Sequence, residues 1–251
     1  DVQQFAFNFT KHMATYGVKS EDLANIKVAH SNHASNNPKA MMKQRVTVQD
    51  VMDSRWIIRP VAHLLDCCLE TDNATCLIVT SAERAKNMKQ TPAHIIGVQG
   101  RGTKPGGDFH FQHGNMGRVA GHYVGPRIFD MAGIKHEDVD VTGCYDAFTY
   151  TVLLQLEDYG WCKKGEGKDY VKSGAINLGG KHPNNTSGGH LCEAYTHGMN
   201  MVIENVRQLR GTVDDYCPDA ANGVHTYDYS EGGCLSLLHT CRRRRYALCP
   251  P

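Results

Sequence analysis

The chain has 251 residues, a formal net charge of +1 and an apolar content of 41%. This length suits one sizeable domain or two small ones. The near-neutral charge gives no reason to expect binding to nucleic acid or to a membrane, and no apolar run is long enough to span a bilayer. The first residues enter a helical pattern directly, without a signal peptide, so we expect a fragment or a processed chain.

Ten cysteines are scattered along the chain, and no CxxC pair occurs. Zinc-site and redox-motif interpretations are therefore weak. Several cysteines lie within apolar runs, as the adjacent Cys67 and Cys68 do. We expect free, buried thiols in a reducing cytoplasm.

Periodicity and capping residues predict the elements of the first half of the chain. Phe5, Phe9 and Met13 share one helical face, and Gly17 closes that helix. In chain order we predict a helix at 2–16, a helix from 20 to about 30, a polar loop at 31–38, a short helix at 47–53, an extended segment at 57–60 and a buried strand in the last part of 64–80.

Strands and helices also alternate in the second half, which indicates an α/β class. The predicted elements are a helix from 81, a strand at 94–99, a long glycine-rich loop at 100–117, a helix at 119–131, a strand near 142, a helix at 149–159 and a helix at 199–209. The last residues, 234–251, show neither clean strand alternation nor a capped helix. An altered terminus or an anion-binding basic tail would explain them.

The stretch at 185–200 joins a glycine turn to a helix start. Gly188 and Gly189 permit positive φ and a close approach to the backbone. Reactive side chains, among them Cys192, Tyr195 and His197, lie between the turn and the helix. Such a stretch either faces a ligand or forms a tight loop before a helix that buries one face.

Five blocks, in order, resemble the thiolase superfamily. Residues 33–40 read HASNNPKA, residues 66–80 read DCCLETDNATCLIVT and residues 145–148 read YDAF, and the blocks at 16–24 and 185–200 complete the set. They are most similar to the thiolase-like lipid-transfer-protein branch, which is related to the sterol carrier protein X thiolase. The resemblance implies a layered αβαβα fold in an incomplete copy that lacks much of the N-terminal half. It divides the chain into 1–90, the rest of the N-terminal half, 91–233, the C-terminal half, and 234–251, an anomalous Cys/Arg-rich tail.

Two departures from the family pattern suggest different chemistry. Tyr145 and Tyr195, fifty residues apart, each stand where thiolases carry a catalytic histidine. A phenol with a pKa of about 10 is a poor base for thiolysis. The resemblance instead implies a steroid side-chain retro-aldolase, which cleaves a β-hydroxyacyl-CoA into a ketone and a shorter acyl-CoA. That step needs no enzyme nucleophile, only a base for the β-hydroxyl and an acid for the enolate carbon.

The catalytic candidates within this frame are Tyr145, Tyr195 and His197. In the alternative interpretation, Tyr145 packs at a strand end with its hydroxyl bonded to backbone. Backbone N–H groups around the glycine turn, or at His197, are candidate donors to the enolate oxygen. The substrate-binding candidates are His33, Asn37, Gly188, Gly189 and Cys192. His33 and Asn37 would line the acyl-CoA entrance or belong to a solvated loop, and Cys192 would be a buried small side chain or a nucleophile.

The resemblance also implies what the protein works with. The substrate brings its own coenzyme A, so no separate cofactor and no metal is expected. A homodimer is expected, together with a small OB-fold partner that helps to build the acyl-CoA site. Two other functions compete: a thiolase or acyltransferase with a different base, and a non-catalytic lipid-binding homologue. A nucleophilic cysteine in the missing N-terminal segment would favour the thiolase.

Overall fold

In a computed structural model of the chain, the structure describes residues 2–99, 117–213, 222–227 and 234–239, the last two ranges as backbone strands. Helices and strands are interleaved along these residues. The helices are α1 (Val2–Tyr16), α2 (Ser20–Asn36), α3 (Val48–Asp53), α4 (Ala82–Ala85), α5 (Gly121–Ala132), α6 (Thr149–Asp158), α7 (Gly167–Lys172), α8 (Gly189–Cys192) and α9 (Met199–Arg210). The strands are β1 (Trp56–Ile58), β2 (Ala62–His63), β3 (His94–Gln99), β4 (Val141–Cys144), β5 (Asn222–Tyr227) and β6 (Cys234–His239).

A four-stranded sheet in the order β3-β6-β5-β4 organises the second half of the chain. Strand β6 is antiparallel to both β3 and β5, whereas β4 and β5 are parallel, with Val141 opposite Gly223. Helix α5 packs on β3 and β6, and α9 packs on β4 and β5. This mixture of packed helices and strands confirms the predicted α/β class.

Two buried helices support the region where the tyrosines lie. All of α6 is buried, including its polar residues. Helix α2 packs against α6, α7 and α8. Tyr145 lies in the turn from β4 into α6, and Tyr195 lies in the loop from α8 into α9. These two segments therefore meet above closely packed helices.

Several predicted elements are confirmed. Helix α1 ends at Tyr16, and Gly17 follows with φ 65°. Thr47 caps α3 by accepting the Asp50 N–H at 3.2 Å. Gly211 ends α9 in the left-handed conformation, as a glycine after a helix commonly does.

The predicted polar loop at 31–38 is wrong, because α2 continues to Asn36. The polar side chains of its last turns find buried partners. The Ser31 hydroxyl donates to the Val28 carbonyl at 2.9 Å and accepts the Val46 N–H at 3.1 Å. Tertiary hydrogen bonds therefore override the weak helix propensity of these residues.

The buried strand predicted near 80 is also wrong. Residues 68–80 have no regular secondary structure, and Ile78 is 75% exposed. An apolar run becomes a strand only when a neighbouring strand pairs with it, and no described strand pairs with this run. Together with β3 and α9 it borders a cavity of about 650 Å³.

The first residues of the predicted tail form β6, although their pattern does not alternate. Backbone pairing with β3 on one side and β5 on the other holds this strand. The division at 1–90, 91–233 and 234–251 stays a prediction, and most of the predicted glycine-rich loop, 100–116, lies outside the described residues. Among the described helices, none combines the length and apolar character needed to cross a bilayer.

Candidate active site

Tyr145 follows β4 directly and is locked by the first turns of α6. Its N–H donates to Gln155 Oε1 at 3.0 Å. Its carbonyl accepts from Gln155 Nε2 at 2.7 Å and from Thr151 Oγ1 at 2.9 Å. The side chain is fully buried. Its backbone is thereby fixed on both sides, so the direction of the ring is set by the helix.

The structure brings the two predicted tyrosines together. The hydroxyl of Tyr145 is hydrogen-bonded to the hydroxyl of Tyr195. Their ring centroids lie 6.3 Å apart, with the ring planes at 69°. Tyr195 is half-buried, so the pair has a buried member and a member that reaches solvent. A proton can pass directly between the two phenols.

Two histidines surround this pair. His197 is exposed, and its ring centroid lies 5.7 Å from that of each tyrosine. His190 is buried, at 5.0 Å from the Tyr145 ring and 4.5 Å from the Tyr195 ring. Its Nε2 accepts the Gly198 N–H at 2.9 Å. His190 therefore contacts both tyrosine rings and also holds the end of the loop that carries Tyr195.

A buried carboxylate lies behind His190. Asp146 Oδ1 accepts the main-chain N–H of His190 at 2.9 Å and lies 3.3 Å from the ring nitrogen Nδ1 of the same residue. Its Oδ2 accepts the Leu191 N–H at 3.3 Å and lies 3.1 Å from His30 Nδ1. Burial alone would raise the pKa of Asp146, but the hydrogen bond from His30 and the charges of both histidines hold it below its ordinary value. Burial lowers the pKa of His190, against the opposing effect of Asp146. The Asp146 carboxylate is thus buried between the imidazoles of His30 and His190.

The glycine turn is attached to the end of β4. The side chain of Asn185 donates to the Cys144 carbonyl and accepts the Cys144 N–H, both at 2.8 Å. Gly188 has φ 104°, and a Cβ there would lie 2.6 Å from the Cβ of Ala34. A Cβ on Gly189 would meet the Asp146 carboxylate. In the described chain these glycines thus permit close internal packing, and their predicted contact with substrate stays a prediction.

The other predicted binding residues lie beneath this turn. His33 is 1% exposed and its Nδ1 donates to the Asn185 carbonyl at 3.3 Å, while burial lowers its pKa to about 3. Asn37 is buried and donates to the Ser187 carbonyl at 3.0 Å. Cys192 is buried in the core, and burial raises the pKa of its thiol. All three support the turn, and their contact with substrate stays a prediction.

Two residues beside the tyrosines were not predicted from the sequence. Asp146 directly follows Tyr145, and a carboxylate next to a candidate catalytic residue is a usable signal. His190 lies five residues before Tyr195 within the stretch already considered functional. Their connection depends on His30, which comes from a helix more than a hundred residues earlier, and no local pattern indicates it.

Comparisons with known proteins give a consistent set of relatives. A family model described as thiolase C-terminal domain-like matches residues 109–241. The chain is 42% identical over 213 residues to the 17-hydroxy-3-oxo-4-pregnene-20-carboxyl-CoA lyase of Mycobacterium tuberculosis, covering 83% of this chain and 55% of the relative. It is 40% identical over 223 residues to a steroid side-chain-cleaving aldolase of Thermomonospora curvata, covering 86% of this chain and 56% of the relative. The chain thus spans about half the length of these relatives.

Solved structures agree with the sequence relatives. A structure titled Ltp2-ChsH2(DUF35) aldolase superposes with a TM-score of 0.88 at 34% identity, covering 96% of this chain and 64% of that chain. A monomeric SCP2-thiolase-like protein type 1 from Mycobacterium smegmatis has a TM-score of 0.69 at 16% identity, which shows the fold alone. The thiolase-like fold implied by the sequence blocks is confirmed.

Proposed function

This chain belongs to the thiolase C-terminal domain-like family, and on that premise we propose that it catalyses retro-aldol cleavage of a β-hydroxyacyl-CoA, with a sterol side chain as the acyl group. The observation that carries the proposal is the hydrogen bond between the hydroxyls of Tyr145 and Tyr195. Two relatives that are at least 40% identical bear the names of a CoA-ester lyase and a side-chain-cleaving aldolase. Their names and the tyrosine pair point to the same reaction class.

The proposed step can be balanced with the two phenols alone. One tyrosine, as tyrosinate, takes the proton of the substrate β-hydroxyl. The bond between the α- and β-carbons breaks, the β-carbon leaves as a ketone, and the electron pair moves into the thioester as an enolate. The other tyrosine protonates the enolate carbon. The hydrogen bond between the two hydroxyls then returns the proton, so the pair regains its starting state.

The surroundings of the pair support this chemistry. His197 is the exposed ring beside both tyrosines, and we assign it to contact with the thioester. The Gly188 N–H is already bonded to the Asn185 carbonyl at 2.8 Å, which leaves the backbone N–H groups of Gly189 and His197 as the proposed donors to the enolate oxygen. In this proposal the coenzyme A is part of the substrate, and the reaction uses no separate cofactor.

The competing thiolase function needs a nucleophilic thiolate. Burial raises the pKa of Cys67 to about 11 and that of Cys68 to about 12, and the pKa of Cys192 is also raised. A thiol with such a pKa is almost wholly protonated at neutral pH and is a poor nucleophile. Cys67, Cys68 and Cys192 are therefore poor candidates for a thiolase nucleophile, and the cysteine that decides between the two functions is the one expected in the missing N-terminal segment.

We extend the proposal to the assembly. The structural neighbour is titled as a complex with a DUF35 protein, which supports a small OB-fold partner for this chain. A homodimer is proposed from the family resemblance. The described cysteines are free thiols, which suits a reducing cytoplasm.

The test uses the full-length protein with its partner and a 17-hydroxy steroid C22 acyl-CoA, with propionyl-CoA as the measured product. We expect Tyr145→Phe and Tyr195→Phe each to lower kcat by about 10²–10⁴-fold. Tyr170→Phe is the matched control, because the Tyr170 hydroxyl is bonded to His182 Nδ1 at 2.7 Å, away from the pair. Full cleavage activity in both phenylalanine variants would refute the tyrosine mechanism, and acetyl transfer to CoA would establish the thiolase instead.

A further inference from the structure

An irregular segment, residues 67–73, runs between the two halves of the tyrosine site. The Cys68 N–H donates to the Ala147 carbonyl at 3.0 Å, two residues after Tyr145. The Leu69 N–H donates to the His190 carbonyl at 2.9 Å. The segment is therefore attached to both parts of the chain that carry the tyrosines.

Two side chains at the end of this segment hold the backbone of Tyr195. The Tyr195 N–H donates to Thr71 Oγ1 at 2.9 Å. The Asn73 amide donates to the Tyr195 carbonyl at 2.9 Å and to Thr71 Oγ1, also at 2.9 Å. The three hydrogen bonds close a ring, so both main-chain polar groups of Tyr195 have side-chain partners.

Tyr195 depends on such partners because it lies in the loop between α8 and α9. A residue in a helix has its N–H and carbonyl fixed by helical neighbours, but a loop residue does not. His190 already holds the far end of this loop through the Gly198 N–H. Thr71 and Asn73 supply the second attachment, at the residue that carries the reacting hydroxyl.

We propose that Thr71 and Asn73 are positioning residues that fix the Tyr195 hydroxyl against that of Tyr145. This inference rests on the proposed function and adds two residues to its machinery. The expected effect is on geometry, because Asn73 is exposed and Thr71 half-buried, and water can replace an exposed hydrogen bond at little cost in stability. A misplacement of about 1 Å can cost about a hundredfold in rate.

Isosteric substitutions separate geometry from folding. Thr71→Val keeps the shape and removes the acceptor, whereas Thr71→Ser keeps the hydroxyl. Asn73→Asp turns an oxygen towards the Tyr195 carbonyl in place of the amide donor. Asn25→Asp is the matched control, because the amide of the half-buried Asn25 also donates to main-chain carbonyls, those of Glu21 and Asp22, both at 3.1 Å.

The first measurement needs no substrate. The ultraviolet tyrosinate titration of each variant, taken as a difference from the same variant with Tyr145→Phe, isolates the coupled pair. We expect Thr71→Val and Asn73→Asp to shift the pH at the midpoint of this titration. Thr71→Ser and Asn25→Asp should leave the midpoint as in the unaltered chain. An unchanged titration in Thr71→Val and Asn73→Asp would overturn the inference.

The second measurement is steady-state cleavage by the complete complex. We expect kcat to fall about tenfold to a hundredfold in Thr71→Val and Asn73→Asp, with KM within about threefold, and Thr71→Ser to recover most of the rate. Full kcat in both variants would overturn the inference. If the unaltered complex cleaves no β-hydroxyacyl-CoA, the proposed function fails, while the titration still decides whether Thr71 and Asn73 hold the pair.

Discussion

The substitution Asp146→Asn should destabilise the protein strongly, because each carboxylate oxygen accepts a main-chain N–H and lies beside an imidazole nitrogen. One oxygen faces the main-chain N–H and Nδ1 of His190, and the other faces the Leu191 N–H and His30 Nδ1. An asparagine amide has a single acceptor oxygen. Its NH₂ group must therefore point at a main-chain N–H and an imidazole nitrogen in a site without water access.

The size of the effect follows from these contacts. A hydrogen bond to a charged group contributes about 1.5–3 kcal/mol, and a buried donor left without a partner costs about 1–3 kcal/mol. We expect the free energy of unfolding to fall by about 3–5 kcal/mol. At about 2–4 °C for each kcal/mol in a chain of this size, Tm falls by roughly 6–20 °C.

Urea unfolding followed by circular dichroism, together with Tm, measures the loss. Asp53→Asn is the control, because the exposed Asp53 carboxylate accepts from Gln49 at 2.8 Å and its loss should cost less than about 0.5 kcal/mol. Folding lowers the pKa of Asp146, so the ionised carboxylate stabilises the folded state, and this contribution is fully present at pH values above the ordinary pKa of 3.8. The difference between the variant and the unaltered chain should therefore shrink as the pH falls through the lowered pKa. A loss below about 1 kcal/mol at pH 7 would refute the network argument.

Two further predictions concern the glycine turn and its support. The pKa of His33 is lowered by burial from 6.5 to about 3, so the unfolded chain binds the extra proton first, and stability should decrease as the pH falls from about 6.5 to about 3. In His33→Asn this acid slope, measured by urea unfolding across that range, should flatten, and an equally steep slope would contradict the assignment. Gly188→Ala combines a positive φ with a clash against Ala34, and should cost about 1–3 kcal/mol more than Gly133→Ala, where φ is 66° and no atom lies within 4 Å of the added Cβ. Equal losses in thermal unfolding of the two variants would remove the packing explanation.

Local patterns and the spacing of sequence blocks were enough to predict several helices and the two tyrosines of the site. Periodic apolar residues and capping signals located α1, α3 and α9. The positions of Tyr145 and Tyr195 within ordered sequence blocks predicted that they would meet, and their hydroxyls are bonded. The helix predictions depend on residues that are close together in the sequence. The tyrosine prediction depends on the known order of the sequence blocks.

What the sequence missed depends on distant partners. The polar pattern of the last turns of α2 predicts a loop, because it does not show that Ser31 and His33 each have a hydrogen-bond partner outside the helix, at Val46 and Asn185. The apolar run at 76–80 predicts a strand wrongly, because the sequence pattern does not show whether a neighbouring strand is present to pair with it. The connection of His30 to Asp146 is invisible for the same reason, since each residue alone looks like an ordinary polar position.

The separation of its parts along the chain gives the tyrosine site a place in the order of folding. The hydrogen bonds of Tyr195 to Thr71 and Asn73 join residues 124 and 122 positions apart, and the bond between the two phenols spans 50. Contacts of such long range close large loops and form slowly, whereas α2 and α9 can nucleate from neighbouring residues. A partly folded chain would therefore have most of its helical signal without a tyrosine pair. The absorbance of that pair would report the last stage of folding, which far-ultraviolet spectra cannot distinguish.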